Sequence, residues 1–185
     1  MDCPIHYSQQ ISMSVRLREE TSQILEDFLQ HHLDGGQQPP PCPAAQTLRR
    51  VAGEMLDKNR SFFDSCSQIS GNPKDVLQTV AATLIEDGGL NWGRIVSLIM
   101  FAGVLVKGSK DQRTATPKEL AEVLSQFLAE EQRDWLQSNG GWNGFHKYFS
   151  NKGALPGQDN NAISGALVAV AGFGLAGLAF LLAVR

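Results

Sequence analysis

The sequence has few of the residues that build metal sites or disulfide frameworks. Of its 185 residues, 3 are cysteine and 4 are histidine. Cys3, Cys42 and Cys66 are odd in number and lack metal-like spacing, and no histidine has ligand-like neighbours. Residues 1–14 have no apolar core, so a secretory signal peptide is not predicted. These features favour free thiols in a cytosol-facing domain that carries no metal or cofactor.

Charge of one sign and the common catalytic motifs are also missing. The 16 Lys and Arg residues nearly balance the 19 Asp and Glu residues, so nothing favours a nucleic-acid partner. Acidic residues are scattered along the chain, and no serine lies in a nucleophile-elbow pattern. The glycine-rich run 87–93 lacks the Gly-Lys-Ser/Thr ending and the preceding strand of a phosphate loop. The sequence therefore does not predict an enzyme.

Alternating apolar and polar residues, which would indicate strands, are absent, whereas helical spacing recurs along the chain. We therefore predict an all-α domain that follows a disordered segment at residues 1–13. A linker at 34–43 contains Gly35-Gly36 and several prolines, which end a helix. The predicted helices cover residues 15–33, 44–63, 72–86, 91–107, 118–137 and 142–149, with a turn or short helix at 65–71.

The predicted helix in the middle of the chain is almost entirely apolar. Its segment Ile95–Val106 has no charge and a single hydroxyl, Ser97. It is shorter than the roughly 20 residues that span a bilayer, and a helix that is apolar on all sides has to be buried. Asn91 is a suitable N-cap, whereas Arg94 lies in the first turn, where the helix dipole disfavours a cation. We expect Arg94 to have an anionic partner, either within the domain or on another protein.

Two motifs resemble those of the Bcl-2 family of apoptosis regulators. Asn91-Trp92-Gly93-Arg94 and the apolar helix after it are similar to the family's first homology motif. Trp-Leu-Gln-Ser-Asn-Gly-Gly-Trp at 135–142, followed by Phe145, is similar to the second, and residues 26–29 resemble the shorter fourth motif. The resemblance covers nearly the whole chain. It implies a Bcl-2-like helical bundle over residues 14–150, with amphipathic helices around the buried one.

The segment that resembles the family's third motif, called BH3, departs from the pattern at one position. Leu48, Val51, Ala52 and Met55 fit it, but Gly53 stands where the family usually has an aspartate. With that aspartate a BH3 helix pairs with the groove arginine of its receptor. The departure favours a receptor over a protein whose own BH3 helix acts as a ligand.

A second long apolar segment lies at residues 162–184, where 23 residues carry no charge. At about 1.5 Å per residue it would reach roughly 34 Å, enough to cross a bilayer. After a linker at 151–161 it is predicted to be a C-terminal membrane anchor, and its sequence resembles the tail of the family's Nr-13 pro-survival branch. The resemblance implies the mitochondrial outer membrane, with the endoplasmic reticulum or nuclear envelope membrane as alternatives.

The resemblance also implies a function and a site. A pro-survival member holds the BH3 helices of Bax/Bak-like and BH3-only relatives in a hydrophobic groove, as a heterodimer. The arginine of the first motif, Arg94, would pair with the carboxylate of the ligand. The residues expected to form the groove are Met55, Phe62, Phe63, Val80, Leu84, Asn91, Gly93, Arg94, Val96, Phe101 and Phe149.

Two other functions stay open at this point. Pore-forming executioners share the fold, although the altered third motif argues against one, and a membrane-anchored helical scaffold would need no groove. Judged from the residues alone, Val80, Leu84, Val96 and Phe101 are also compatible with plain core packing. The three tryptophans are expected to be packing anchors outside the site.

Overall fold

The architecture comes from a computed structural model of the chain, which describes residues 4–67, 69, 71–86, 89–108 and 115–151. Within these ranges the chain forms eight α-helices, one π-helical turn and no strand. The helices are α1 (Pro4–Asp34), α2 (Pro43–Lys58), α3 (Arg60–Cys66), α4 (Pro73–Glu86), α5 (Trp92–Lys107), α6 (Pro117–Gln126), α7 (Arg133–Ser138) and α8 (Gly141–Asn151). The π-helical turn, Phe127–Glu131, joins α6 to α7. The all-α prediction is confirmed.

The apolar helix α5 lies at the centre, as predicted. All of its residues except Leu105 and Lys107 are buried. Five helices, α1, α2, α3, α4 and α6, pack around it. Asn91 starts α5 by accepting a hydrogen bond from the Arg94 backbone N–H at 2.9 Å, so the predicted N-cap is present.

Several helix bounds differ from the sequence prediction. Helix α1 begins at Pro4 rather than at residue 15, so the disorder predicted for residues 1–13 does not hold from residue 4 onward. Proline suits the first helical position, and extending a helix from an amphipathic segment costs little once it is nucleated. The single helix predicted over 44–63 is divided at Asn59, whose side chain donates a hydrogen bond to the Met55 carbonyl at 2.9 Å. Asparagine competes in this way with the helical hydrogen bonds.

Two glycines turn the chain between α7 and α8. Gly140 and Gly141 have φ of +78° and +60°, which residues with a side chain rarely adopt. Just after this turn, the Trp142 indole donates a hydrogen bond to Thr21 of α1 at 2.8 Å, with both groups buried. The segment that resembles the family's second motif therefore fixes α8 against the first helix.

The predicted linker and membrane anchor lie beyond the described residues, at 152–161 and 162–184. Among the helices that are described, none combines the length and the apolar character needed to cross a membrane.

Candidate functional site

Arg94 is buried at the start of α5, where it contacts the end of α4. Its side chain is only 5% exposed. One terminal nitrogen, Nη1, donates to the backbone carbonyls of Leu84 at 2.9 Å and Gly89 at 2.8 Å. Leu84 belongs to the last turn of α4, where carbonyl groups carry the negative end of the helix dipole. The carbonyl end of a neighbouring helix therefore contributes to the charge that faces Arg94.

Asn91 is half-buried, and its side chain already makes one hydrogen bond within the protein. Its Oδ1 atom accepts the hydrogen bond that caps α5, from the Arg94 backbone N–H. The amide NH₂ group of Asn91 would be available to donate to a bound helix. Gly93 is buried in the first turn of α5.

One side of the predicted groove comes from α2 and α3. Met55 and Phe63 are each 1% exposed, whereas Phe62 is half-buried and its ring meets that of Phe63 edge to face, with centroids 5.3 Å apart. Ser97 of α5 donates its hydroxyl to the Met55 sulfur at 3.5 Å. This contact was not predicted, although Ser97 is the sole hydroxyl of the apolar run. It fixes Met55 against the central helix.

The other predicted groove residues lie on α4 and α5. Val80 and Leu84 of α4 are 5% and 3% exposed, and Val96 and Phe101 of α5 are both fully buried. In this structure all four are core residues, as the alternative interpretation of the sequence allowed. A helix that uses them would first have to move the walls apart.

The arrangement of the helices nevertheless leaves a seam between two walls. α2 and α3 pack on α5 from one direction and α4 packs on α5 from another. Among the described residues, α4 makes no comparably extensive contact with α2 or α3. The two walls therefore share the floor formed by α5 but are weakly attached to each other, so a helix inserted between them would disrupt few existing contacts.

Phe149 lies on α8, which packs against α2. It is 3% exposed and its ring packs edge to face on Phe145, with centroids 5.0 Å apart. Thr47 of α2 and His146 of α8 share a hydrogen bond of 2.8 Å between Oγ1 and Nδ1. No spacing in the sequence indicates this pair, because the two residues are far apart along the chain. It attaches α8, and with it Phe149, to α2.

A separate depression of about 480 Å³ lies between α1 and the α1–α2 linker and includes none of the predicted groove residues. Two of its three carboxylates, those of Asp27 and Asp34, already have partners. Asp27 forms a two-point ion pair with Arg49, whose shorter N–O distance is 2.6 Å, and Asp34 accepts hydrogen bonds from Gln30 and from the Gly36 N–H. The lining residues are Gln23, Glu26, Asp27, Gln30, His31, Asp34, Gly36, Gln38, Pro39, Pro41 and Arg49.

Comparison with known proteins identifies relatives of both the sequence and the fold. Residues 48–142 match the family model described as apoptosis regulator proteins, Bcl-2 family. The anti-apoptotic protein NR13 of Coturnix japonica is 45% identical over 174 residues, which cover 91% of this chain and 98% of that protein. Bcl-2-like protein 10 of Homo sapiens is 30% identical over 76% of this chain and 80% of its own length.

A solved structure shares the fold as well as the sequence. It is that of the zebrafish pro-survival protein NRZ in complex with the BH3 segment of Bad. Its sequence is 38% identical and its TM-score is 0.69, over 75% of this chain and 98% of that one.

Proposed function

The chain belongs to the Bcl-2 family of apoptosis regulators, and from this premise we propose that it is a pro-survival member that captures BH3 helices of pro-apoptotic relatives. The groove would lie between the α2–α3 wall and α4, with α5 as its floor. Its activity is binding, with no catalytic step and no cofactor. The likeness to NR13 and to the NRZ–Bad complex supports this function.

The observation that carries the proposal is the position of Arg94. It is a buried cation at the junction of α4 and α5, on the helix that would form the floor of the groove. A buried cation is costly unless anionic or polar groups face it. A helix with a carboxylate beside its apolar face would present an anion to Arg94 and an apolar surface to the walls.

The proposed recognition follows helix-in-groove physics. The apolar face of the incoming helix would replace the contacts between walls and floor, and apolar burial contributes about 25 cal/mol per Å² before costs. The ligand's carboxylate would form a charge-assisted hydrogen bond with Arg94, which fixes the register of the helix. Losing one partner of such a pair costs about 2–5 kcal/mol.

The third-motif segment of this chain is poorly suited to act as a ligand itself. Leu48, Val51 and Met55 point into the bundle and are at most 1% exposed. The exposed Gly53 has no carboxylate, and the carboxylate of Glu54 pairs with Arg50 of the same helix at 2.9 Å. Release of α2 would therefore expose core residues without presenting the aspartate that a receptor arginine recognises.

Binding can be tested by titration calorimetry of the full chain, in nanodiscs, with the BH3 peptide of Bad. We expect a saturable complex that Arg94→Ala weakens by about 2 kcal/mol or more, roughly 30-fold in Kd. Lys107→Ala, which removes a cation at the far end of the same helix, is the matched control and should bind like the wild type. Absence of binding by the wild type would favour the scaffold alternative.

We further propose that residues 162–184 anchor the protein in the mitochondrial outer membrane. The support is the sequence itself, since 23 uncharged residues can span a bilayer. Cells expressing a fluorescent fusion with and without residues 162–185 would test this. The intact chain should resist alkaline extraction and colocalise with mitochondria, whereas a reticular or nuclear-rim pattern would redirect the anchor to the alternative membranes.

A further inference from the structure

We infer that Arg94 has a second role: it caps the carbonyl end of α4 and so holds the groove wall that carries Val80 and Leu84. It is thereby a positioning residue of the free protein as well as the proposed partner of the ligand's carboxylate. The part of this inference that concerns ligand binding rests on the proposed function. The part that concerns the cap does not.

The end of α4 needs such a cap because the last carbonyl groups of a helix have no partner within it. The Ile85 carbonyl is met by the Gly89 N–H at 3.0 Å, and Gly89 adopts φ of +78°, which favours glycine there. The Leu84 carbonyl and the Gly89 carbonyl both accept from Arg94 Nη1. One side chain of α5 therefore holds both sides of the corner where α4 ends.

The electrostatics of the two helix ends favour this placement. The backbone of Arg94 lies at the positive end of the α5 dipole, which repels a cation. Its side chain extends to the negative end of the α4 dipole, which attracts one. Because the hydrogen bond to Leu84 is buried, water replaces it poorly, and leaving its acceptor unsatisfied is costly.

The cap bears directly on the groove because one of its acceptors belongs to a predicted groove residue. Leu84 contributes its side chain to the core between α4 and α5 and its carbonyl to Arg94. If Arg94 is removed, the last turn of α4 loses its attachment to α5. An Arg94 variant should therefore lose affinity for a ligand for two reasons, the missing charge pair and the loosened wall.

Amide hydrogen exchange on the free, full-length protein tests the cap without any ligand. We expect the amides of Ile85, Glu86 and Gly89 to exchange at least about tenfold faster in Arg94→Gln than in the wild type, while α1 and α6 keep their protection. Lys107→Ala is the control and should leave these three amides unchanged. Equal exchange in Arg94→Gln and the wild type would overturn the cap. If Arg94→Gln proves unstable, Arg94→Lys is measured instead and should show a smaller increase, since an ammonium does not reproduce the guanidinium geometry.

A double-mutant cycle separates the cap from the charge pair. The Bad BH3 peptide and its Asp→Ala variant are each titrated into wild type and Arg94→Gln. We expect Arg94→Gln to weaken binding of the Asp→Ala peptide several-fold, and to weaken the unmodified peptide further. If the Asp→Ala peptide binds both proteins equally, Arg94 affects binding only as a charge partner, and the inferred effect of the cap on the groove is wrong.

The other outcomes of the cycle test the charge pair and the proposed function, whereas hydrogen exchange tests the cap directly. Equal weakening of both peptides would support the cap and remove the charge pair from the mechanism. Failure of the wild type to bind either peptide would sink the proposed function, while faster exchange in Arg94→Gln would still establish the cap.

Discussion

At the scale of single residues, His32 shows how the packing of α1 on α5 changes the pKa of a side chain. Its ring stacks on Phe28, with centroids 5.8 Å apart, and a Cβ built on Gly103 would lie 2.8 Å from its Cδ2 atom. Burial, followed by the positive charges of Lys107 and His31, lowers the pKa of His32 from 6.5 to about 4. The neutral ring is therefore the form that fits between the two helices.

This shift predicts an acid-sensitive stability. The unfolded chain binds a proton at His32 near pH 6.5 and the folded chain only near pH 4, so stability is complete above about pH 6.5 and falls as the pH drops toward 4. Between pH 7.5 and 5 the wild type should lose about 1 kcal/mol more unfolding free energy than His32→Gln, a value reduced because the ring is partly exposed to screening solvent. Urea denaturation at both pH values measures the difference, with His6→Gln as control. Equal losses in wild type and His32→Gln would contradict the assignment.

The sequence predicted that Arg94 would need partners, but not which backbone groups would be among them. Arg94 was expected to need an anionic partner because of its place in the first turn of an apolar helix. The carbonyls of Leu84 and Gly89 that meet it in the free protein have no sequence signature, since every residue carries one. The contact between Ser97 and Met55 was equally hidden, because it depends on how α2 is rotated against α5.

At the scale of elements, the α7–α8 corner depends on the absence of a side chain at Gly144. A Cβ at this position would lie 1.8 Å from the Asn139 carbonyl oxygen, and backbone cannot move aside as a flexible side chain can. The close approach lets α8 fold back so that Phe145 reaches Trp92, with ring centroids 5.3 Å apart. The corner thereby brings aromatic residues of α8 onto the start of α5.

We therefore expect Gly144→Ala to destabilise the fold by about 2–3 kcal/mol. The matched variant is Gly53→Ala, because Gly53 is exposed in α2 and a Cβ there meets nothing within 4 Å. That substitution should be stabilising by about 0.5–1 kcal/mol, since alanine favours a helix interior more than glycine does. Urea unfolding of both variants gives the comparison. A Gly144→Ala protein as stable as the wild type would show that the corner has room to relax.

The helices were predictable from the sequence, but the positions at which two of them are interrupted were not. The spacing of apolar residues predicts a continuous helix over 118–137, whereas the structure has α6, a π-helical turn and α7. A single extra residue in a turn leaves the apolar periodicity of a short window almost unchanged. The position of Asn59 between α2 and α3 is likewise compatible with a helix until tertiary packing selects the break.

At the scale of the whole molecule, the proposed groove is closed in this structure. Its two walls share the floor of α5 with little contact between them, yet the groove residues on α4 and α5 are buried. Ligand binding would then replace contacts within the bundle by contacts with the incoming helix. Association that requires such a rearrangement is slower than docking of preformed surfaces.

This closed state could not be derived from the sequence. The motifs at 91–94 and 135–142 were sufficient to predict the bundle and its central helix. An apolar residue suits a groove and a core equally well. Whether Val80, Leu84, Val96 and Phe101 are buried depends on the distance between the two walls, and a change smaller than one side chain is enough to alter it.

A membrane assay distinguishes a pro-survival protein from a pore-forming executioner. With Gly53 in place of the aspartate of its third motif, the full chain incubated with dye-loaded liposomes and an activating BH3 peptide should release no dye. It should instead suppress the release caused by a pore-forming relative in the same vesicles. If this chain and the peptide release dye without the pore-forming relative, the chain belongs to the executioner class.

The location of the bound helix tests the account most directly. Backbone amide chemical shifts of the isotope-labelled full chain are compared before and after addition of the Bad BH3 peptide. We expect the largest chemical-shift changes along α3, α4 and the first half of α5, centred on Arg94. Changes at the depression between α1 and the α1–α2 linker should be small. Changes concentrated at that depression, with the amides of Leu84, Arg94 and Val96 unaffected, would contradict it.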